Sequence, residues 1–132
     1  RAWIARNIAR YEADGFGRCA VVGRATGALV GDCGLARTEV EGASEVELGW
    51  IVARSEWGRG IAPEAAAAWR DFAFDVLRLD RIVSMVGAEN VASRRVAEKL
   101  GMTVERTAVW GGAPMLMYSC RRPAPLRSGG CG

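Results

Sequence analysis

Three short segments carry residues whose types and spacing suit acid–base or anion-binding chemistry. They are residues 45–50 with two glutamates, the glycine-rich residues 57–62, and residues 90–93 with an asparagine and a serine. A carboxylate inside a covered strand is costly unless it has a partner, so Glu45 or Glu47 is either functional or on an exposed edge. The residues alone leave both interpretations open.

The glycine-rich segment Trp57-Gly58-Arg59-Gly60-Ile61-Ala62 predicts a cradle for a phosphate or pyrophosphate. Glycines let backbone N–H groups converge on one point, and the helix expected from Pro63 adds the positive end of its dipole. Arg59 adds a mobile positive charge. The segment is neither a Walker loop, because no G-K-[ST] follows, nor a dinucleotide fingerprint, because Pro63 stands where a third glycine is needed. A surface turn before a helix is the alternative.

Asn90 is a natural N-cap for a helix that runs to Leu100 and ends at Gly101. Capping accounts for Asn90 and its neighbour Ser93 without any ligand. Spacing alone therefore does not distinguish a cap from a binding site.

The composition excludes several classes of function. The chain has no histidine, which removes Ser-His-Asp and Cys-His mechanisms, and its four cysteines form no C-x-x-C pair, so no metal site is predicted. The net charge is +3 and the basic residues are scattered, so nucleic acid is not an expected partner. No apolar run reaches the roughly 18 residues of a membrane span. No leader peptide opens the sequence, and four reduced cysteines would fit the cytoplasm, which is the expected location; the sequence leaves a disulfide open.

Apolar periodicity predicts a mixed α/β domain over residues 1–122, followed by a loose tail over residues 123–132. Three consecutive strands should form an antiparallel meander, and the strand–helix–strand unit after them should give a parallel pair. The sheet is thus mostly antiparallel, with helices on both faces. The predicted helices cover residues 2–13, 63–78 and 90–100, and the predicted strands cover residues 18–23, 28–37, 45–52, 81–87, 102–109 and 115–121.

Two hairpin connections are also predicted, a polar loop over residues 39–44 and a turn at Gly111-Gly112. In the strand over residues 45–52, alternation places Val46, Leu48, Trp50 and Val52 on one face. In the helix over residues 63–78, Val76 belongs to the apolar stripe.

Five segments, in this order and spacing, resemble one enzyme family. They are Glu47-Leu48-Gly49-Trp50, Trp57-Gly58-Arg59-Gly60-Ile61-Ala62-Pro63-Glu64-Ala65, Asp80-Arg81-Ile82, Glu89-Asn90-Val91-Ala92-Ser93 and Glu98-Lys99-Leu100-Gly101-Met102. Over about residues 28–121 the chain resembles the GNAT superfamily of acyl-CoA-dependent N-acyltransferases. The similarity is strongest to its Rim-type branch, the ribosomal-protein N-terminal acetyltransferases.

The resemblance implies a GNAT-like fold in which a splayed parallel strand pair holds acetyl-CoA as co-substrate, without a metal. The pyrophosphate would lie on Trp57, Gly58, Arg59, Gly60, Ile61 and Ala62. The pantetheine arm would pair like an added strand near Ile51 and Val52 and would bind Asn90 and Ser93. Pro63 removes one amide donor from the cradle.

The family reaction is a direct attack of a primary amine on the thioester, with no covalent enzyme intermediate. Glu47 is the first candidate for the base that takes the amine's proton, and Glu45 is the second. Many relatives use a tyrosine as acid where this chain has Ala97. Rim-type relatives instead have a serine where Ser93 lies, and this resemblance implies that Ser93 stabilises the departing thiolate by hydrogen bonding.

The resemblance leaves the acceptor open among a protein N-terminus, an amino sugar, an antibiotic and a polyamine, and fold-level analogy favours the first. A non-catalytic acyl-CoA-binding or sensing domain is the alternative of a different class. The family also has a strand and a helix ahead of the first helix predicted here. Their absence leads us to expect a truncated chain or a site completed by another chain, such as a homodimer. Trp3, Tyr11 and Trp110 are expected to pack in the core rather than contact the acceptor.

Overall fold

The computed structural model describes residues 17–22, 29–52 and 60–124. The strands are β1 (Arg18–Val22), β2 (Leu29–Val40), β3 (Ala43–Val52), β4 (Arg81–Val86), β5 (Thr103–Trp110) and β6 (Ala113–Arg121), and the helices are α1 (Ile61–Asp75) and α2 (Val91–Lys99). The helix predicted over residues 2–13, the first half of the glycine-rich segment (residues 57–59) and most of the predicted tail lie outside the described residues.

The strands form one mixed sheet in the order β1-β2-β3-β4-β6-β5. β1, β2 and β3 form the predicted antiparallel meander, and β4 runs parallel to β3 after the crossover through α1. β6 lies between β4 and β5 and is antiparallel to both. The prediction of a mixed, mostly antiparallel sheet with one parallel pair is therefore confirmed.

The connection between β2 and β3 is tighter than the polar loop predicted over residues 39–44. β2 continues to Val40 and β3 begins at Ala43, so Glu41 and Gly42 alone form the turn. Both have positive φ, 49° and 87°, as a two-residue hairpin turn requires. Glu41 is held in this conformation because its carboxylate accepts hydrogen bonds from the backbone N–H of Val109 and from Arg106 on β5. These two donors, Val109 first, keep the pKa of Glu41 below its usual value.

Both described helices pack on one face of the sheet and share its main core. Alternate residues of β3 enter this core, with Val46 and Leu48 buried and Trp50 packed against them, as the alternation of the sequence predicts. From α1 the core takes Ala66, Ala73 and Phe74. Val76, predicted to belong to the apolar stripe of this helix, is instead 62% exposed because α1 has already ended at Asp75.

The opposite face holds a second, smaller core at the end of the sheet near the β2–β3 turn. Val40, Val83, Ala108 and Met117 are buried in it, and Trp110 packs against them and donates its indole N–H to the Thr38 hydroxyl at 3.0 Å. Val40 of β2 and Ala108 of β5 meet although three strands separate β2 from β5, so the sheet is strongly curved. The prediction that Trp110 packs in the core is confirmed.

The β5–β6 hairpin turns at Gly111 and Gly112, where the sequence predicts it. Their φ angles are 62° and 79°, values that favour glycine at both positions. Within the described part of the chain, neither helix is long and apolar enough to cross a membrane.

Candidate functional site

A cavity of about 190 Å³ opens where β3 and β4 separate. The two parallel strands share a single paired position, Glu47 opposite Val83, although both continue beyond it. The cavity walls come from the last residues of both strands, from the start of α2 and from β6. They are Glu47, Leu48, Gly49, Trp50, Ile51, Ser84, Met85, Val86, Gly87, Asn90, Ser93 and Met115.

The structure brings four of the predicted site residues to this cavity: Glu47, Ile51, Asn90 and Ser93. They lie on β3 and at the start of α2, and Ile51 and Asn90 are 39 residues apart in the chain. The crossover through α1 and β4 brings the start of α2 back to the open end of β3. The sequence predicted these residues as one site, and the structure places them around one space.

Glu47 is a buried carboxylate in the cavity wall. Only 8% of the residue is exposed, and it lies on the sheet face opposite the two helices. Its pairing with Val83 places it at the point where the parallel strands begin to separate. A carboxylate in this position can take a proton from a group that enters the cavity.

Glu45, the second candidate base, is held in an ion pair and is not part of the cavity wall. Arg81 donates to its two oxygens from Nε at 3.0 Å and from a terminal nitrogen at 2.5 Å, and also contacts Glu105 at 2.7 Å. These contacts raise the pKa of Arg81, with Glu45 the larger cause. Arg81 first, and Ser119 next, lower the pKa of Glu105. This geometry favours a structural role for Glu45.

Asn90 is the N-cap of α2, as predicted, and also lines the cavity. Its side-chain oxygen accepts from the backbone N–H of Ser93 at 3.1 Å. Since that oxygen is used by the cap, the amide nitrogen of Asn90 is the part suited to donate to a ligand. The half-buried Ser93 lies in the first turn of the same helix, whose positive dipole end faces the cavity.

The predicted anion cradle is described only at its carboxyl end. Gly60 precedes α1 with a φ of 74°, a left-handed conformation that favours glycine, and Ile61 and Ala62 are the first two helical residues. The N–H groups of these two residues have no acceptor inside the helix, as at any helix start. Trp57, Gly58 and Arg59 lie outside the described residues.

The backbone of β3 divides into groups that face β4 and groups that face β2. The Leu48 carbonyl faces β4, because the Ser84 hydroxyl donates to it at 2.7 Å. Backbone polar groups alternate between the two edges of a strand, so those of Trp50 and Val52 also face the gap. Ile51 pairs opposite Asp32 of β2, and it contributes a side chain that is 62% exposed to the cavity wall.

Two hydrogen-bonding side chains at and behind the site were not predicted from the sequence. One is Ser84 in the cavity wall, which is 1% exposed and bonded to Leu48. The other is the buried Tyr118 of β6, which pairs opposite Ser84 and does not line the cavity. Its hydroxyl accepts from Arg94 and donates to Glu98, each at 3.2 Å. Arg94 also donates to the Ala88 carbonyl and so ties α2 to the loop before it. The spacing of Arg94 and Glu98, four residues apart on one helix face, is the signal in the sequence for this network.

The arrangement suits an extended ligand that pairs with the open edge of β3 and presents a reactive group beside Glu47. The helix start and the amide of Asn90 supply donors, and the buried carboxylate supplies a proton acceptor. Within the described ranges, no group of three or more histidine, cysteine, aspartate or glutamate residues is placed to hold a metal ion.

Comparison with known proteins gives consistent similarities. The family model described as "Acetyltransferase (GNAT) domain" matches residues 1–103. The uncharacterized protein YkkB of Bacillus subtilis (strain 168) is 31% identical over 118 residues, which are 89% of this chain and 69% of YkkB.

Solved structures share the fold. An acetyltransferase from Agrobacterium tumefaciens str. C58 is 32% identical with a TM-score of 0.77, over 91% of this chain and 69% of that one. The ribosomal-protein-S5-alanine acetyltransferase from Vibrio fischeri has a TM-score of 0.76 over 89% of this chain and 68% of its own. Its identity is 17%, so this likeness is one of fold alone.

Proposed function

Because the chain belongs to the GNAT acetyltransferase family, we propose that it transfers an acetyl group from acetyl-CoA to a primary amine. The observation that supports this proposal is the cavity between β3 and β4, whose walls include Glu47, Asn90 and Ser93. Acyl-CoA transfer needs a groove for an extended arm and a proton acceptor at its inner end.

The described residues fit acetyl-CoA as co-substrate in three respects. The edge of β3 offers the backbone groups of Trp50 and Val52 to the amides of the pantetheine arm, as in strand addition. Asn90 offers its amide nitrogen. The N–H groups of Ile61 and Ala62 point from the start of α1, where a pyrophosphate is favoured by the helix dipole. We assign Trp57, Gly58, Arg59 and Gly60 to the same pyrophosphate site.

In the proposed reaction Glu47 is the general base. It takes the proton that the amine loses as its nitrogen bonds to the acetyl carbon. The Ser93 hydroxyl donates a hydrogen bond to the coenzyme A sulfur as the carbon–sulfur bond breaks. The thiolate then takes a proton from solvent, and Glu47 returns its proton to solvent, so the base is regenerated. No covalent enzyme intermediate is needed.

For the acceptor we propose a protein N-terminus, which is the substrate class of the Rim-type branch. The support is the sequence resemblance to that branch, together with the fold shared with the S5-alanine acetyltransferase of Vibrio fischeri. A small-molecule amine is the alternative acceptor.

The first test is thermal unfolding of the protein with and without acetyl-CoA, with ATP and NAD as controls. A ligand at about 100 times its Kd adds about 2.7 kcal/mol to the stability. For a domain of this size that raises Tm by roughly 10 °C. We expect this rise with acetyl-CoA and coenzyme A alone, and its absence would contradict the proposal.

A turnover assay then distinguishes an acetyltransferase from a domain that only binds or senses acyl-CoA. We expect coenzyme A release when acetyl-CoA is incubated with a panel of peptides and small amines. Tight binding of acetyl-CoA with no turnover on any acceptor would instead favour an acyl-CoA-binding or sensing domain.

A further inference from the structure

We propose that Ser84 is a positioning residue that sets how deeply the acyl donor enters the gap between β3 and β4. The inference rests on the proposed function, because it assumes that the pantetheine arm pairs with β3. It assigns a role to a side chain that neither holds the cofactor nor takes part in proton transfer.

The first observation is that a side chain, and not a strand, satisfies the Leu48 carbonyl. Ser84 is 1% exposed, and its hydroxyl donates to that carbonyl at 2.7 Å. In a regular parallel pair the donor would be a backbone N–H of β4. The described ladder has its one paired position at Glu47 and Val83, immediately before this bond.

The second observation is the location of this bond in the cavity. Leu48 and Ser84 both line it, and Glu47 lies next to Leu48 on the opposite sheet face. With the Leu48 carbonyl already bonded, the next β3 residue whose backbone groups face the gap is Trp50. Two residues of strand span about 7 Å. The arm therefore begins to pair about 7 Å from the Leu48 position.

The hydrogen bond between Ser84 and Leu48 therefore limits how far the pantetheine arm can pair along β3. Without the hydroxyl, the buried Leu48 carbonyl would lack its donor, and such a group is costly to leave unsatisfied. In Ser84→Ala, β4 would then close onto β3 so that a backbone N–H reaches this carbonyl, and the gap that receives the arm would narrow. This change would weaken binding of the arm and displace the thioester relative to Glu47.

The experiment compares three variants with the wild-type protein. Ser84→Ala removes the donor, Ser84→Thr keeps a hydroxyl, and Ser119→Ala removes a different hydroxyl, which donates to Glu105 at 2.9 Å and does not line the cavity. If Ser84→Ala does not fold, Ser84→Cys replaces it, because a thiol has similar volume and is only a weak donor. The measured quantities are the Kd of coenzyme A and the Kd of adenosine 3′,5′-bisphosphate, which is the nucleotide half without the arm.

We expect Ser84→Ala to weaken coenzyme A binding about 3- to 10-fold, the range set by one hydrogen bond. Binding of the nucleotide half should change less than about 2-fold by the same reasoning. Ser84→Thr should restore coenzyme A binding, and Ser119→Ala should leave both values unchanged.

Equal weakening of both ligands would mean a merely structural role for Ser84 and would overturn the inference. So would a Ser84→Ala protein that binds coenzyme A as the wild type does. If the wild-type protein itself binds no coenzyme A, the proposed function fails, and the role of Ser84 fails with it.

Discussion

Two glutamates on the same face of β3 have different surroundings. Glu45 is bonded through both oxygens to Arg81, whereas Glu47 lies in the cavity wall next to the separating strands. Since the two residues share a strand, a residue type and a face, they form a matched pair for testing which carboxylate accepts the proton.

We expect Glu47→Gln to lower kcat about 100-fold or more, which is the usual contribution of a general base. Stabilisation by coenzyme A should persist, because the amide keeps the shape of the cavity. Turnover and thermal unfolding are measured on the same protein samples.

Glu45→Gln is the control for this substitution. It should keep most of the activity but lower the free energy of unfolding by about 1–3 kcal/mol, because Arg81 loses a charged partner. If Glu45→Gln abolished turnover while Glu47→Gln retained it, the assignment of the base would be reversed.

At the scale of elements, the start of α2 has two roles that share one side chain. The oxygen of Asn90 caps the helix by accepting from Ser93, and its amide nitrogen is our proposed donor to the pantetheine arm. The network of Tyr118, Arg94 and Glu98 holds the same helix against β6. The position of Asn90 at the cavity therefore depends on the cap and on this network.

Substitution at Asn90 separates the two roles. Asn90→Ala should destabilise the protein by about 1 kcal/mol, because the cap is lost. Asn90→Asp should retain the stability, since aspartate is an equally good cap and favours the helix dipole. Both variants should weaken coenzyme A binding, because both lose the amide nitrogen.

Urea unfolding and coenzyme A titration of the two Asn90 variants check this. Normal coenzyme A binding by Asn90→Asp would show that the cap is the whole role of this residue.

At the scale of the whole molecule, charged pairs connect strands that are distant in the chain. Arg81 of β4 joins Glu45 of β3 to Glu105 of β5, and Arg106 of β5 joins Glu41 in the β2–β3 turn. These contacts lie on the face of the sheet opposite the helices, which also holds the smaller core. They add to the hydrophobic contacts that keep the sheet curved.

The pairing of Glu105 predicts a dependence of stability on pH. Its pKa in the folded protein is below the ordinary value of 4.5, with Arg81 the first cause. A carboxyl group with a lowered folded pKa stabilises the protein above its unfolded pKa, and the contribution is lost as the pH falls through the folded pKa. The free energy of unfolding should thus fall below about pH 4.5.

The decrease in the free energy of unfolding at low pH should be smaller in Glu105→Gln than in the wild-type protein. The difference should be less than about 1 kcal/mol, because the ion pair is partly exposed. Urea unfolding at pH 6 and pH 3 measures the difference. Identical pH dependence in the two proteins would exclude a contribution from Glu105.

The sequence alone determined most of the fold and grouped candidate site residues that the structure places around one cavity. Period-two alternation in β3 predicted which residues face the helices, and the order of strands and helices predicted the parallel pair. Asn90 was predicted as a cap, and Glu47, Asn90 and Ser93 were predicted as one site by resemblance. These features depend on local periodicity and on motif spacing, both of which are present in the linear sequence.

The tertiary structure alone decided which side chains bond to each other across the strands. No pattern in the sequence indicates that Arg81 bonds to Glu45 and Glu105, or that Ser84 satisfies the Leu48 carbonyl. The length of the β2–β3 turn also depends on Arg106 and Val109, more than 60 residues away. Such contacts join distant parts of the chain, and they follow from the curvature and register of the whole sheet.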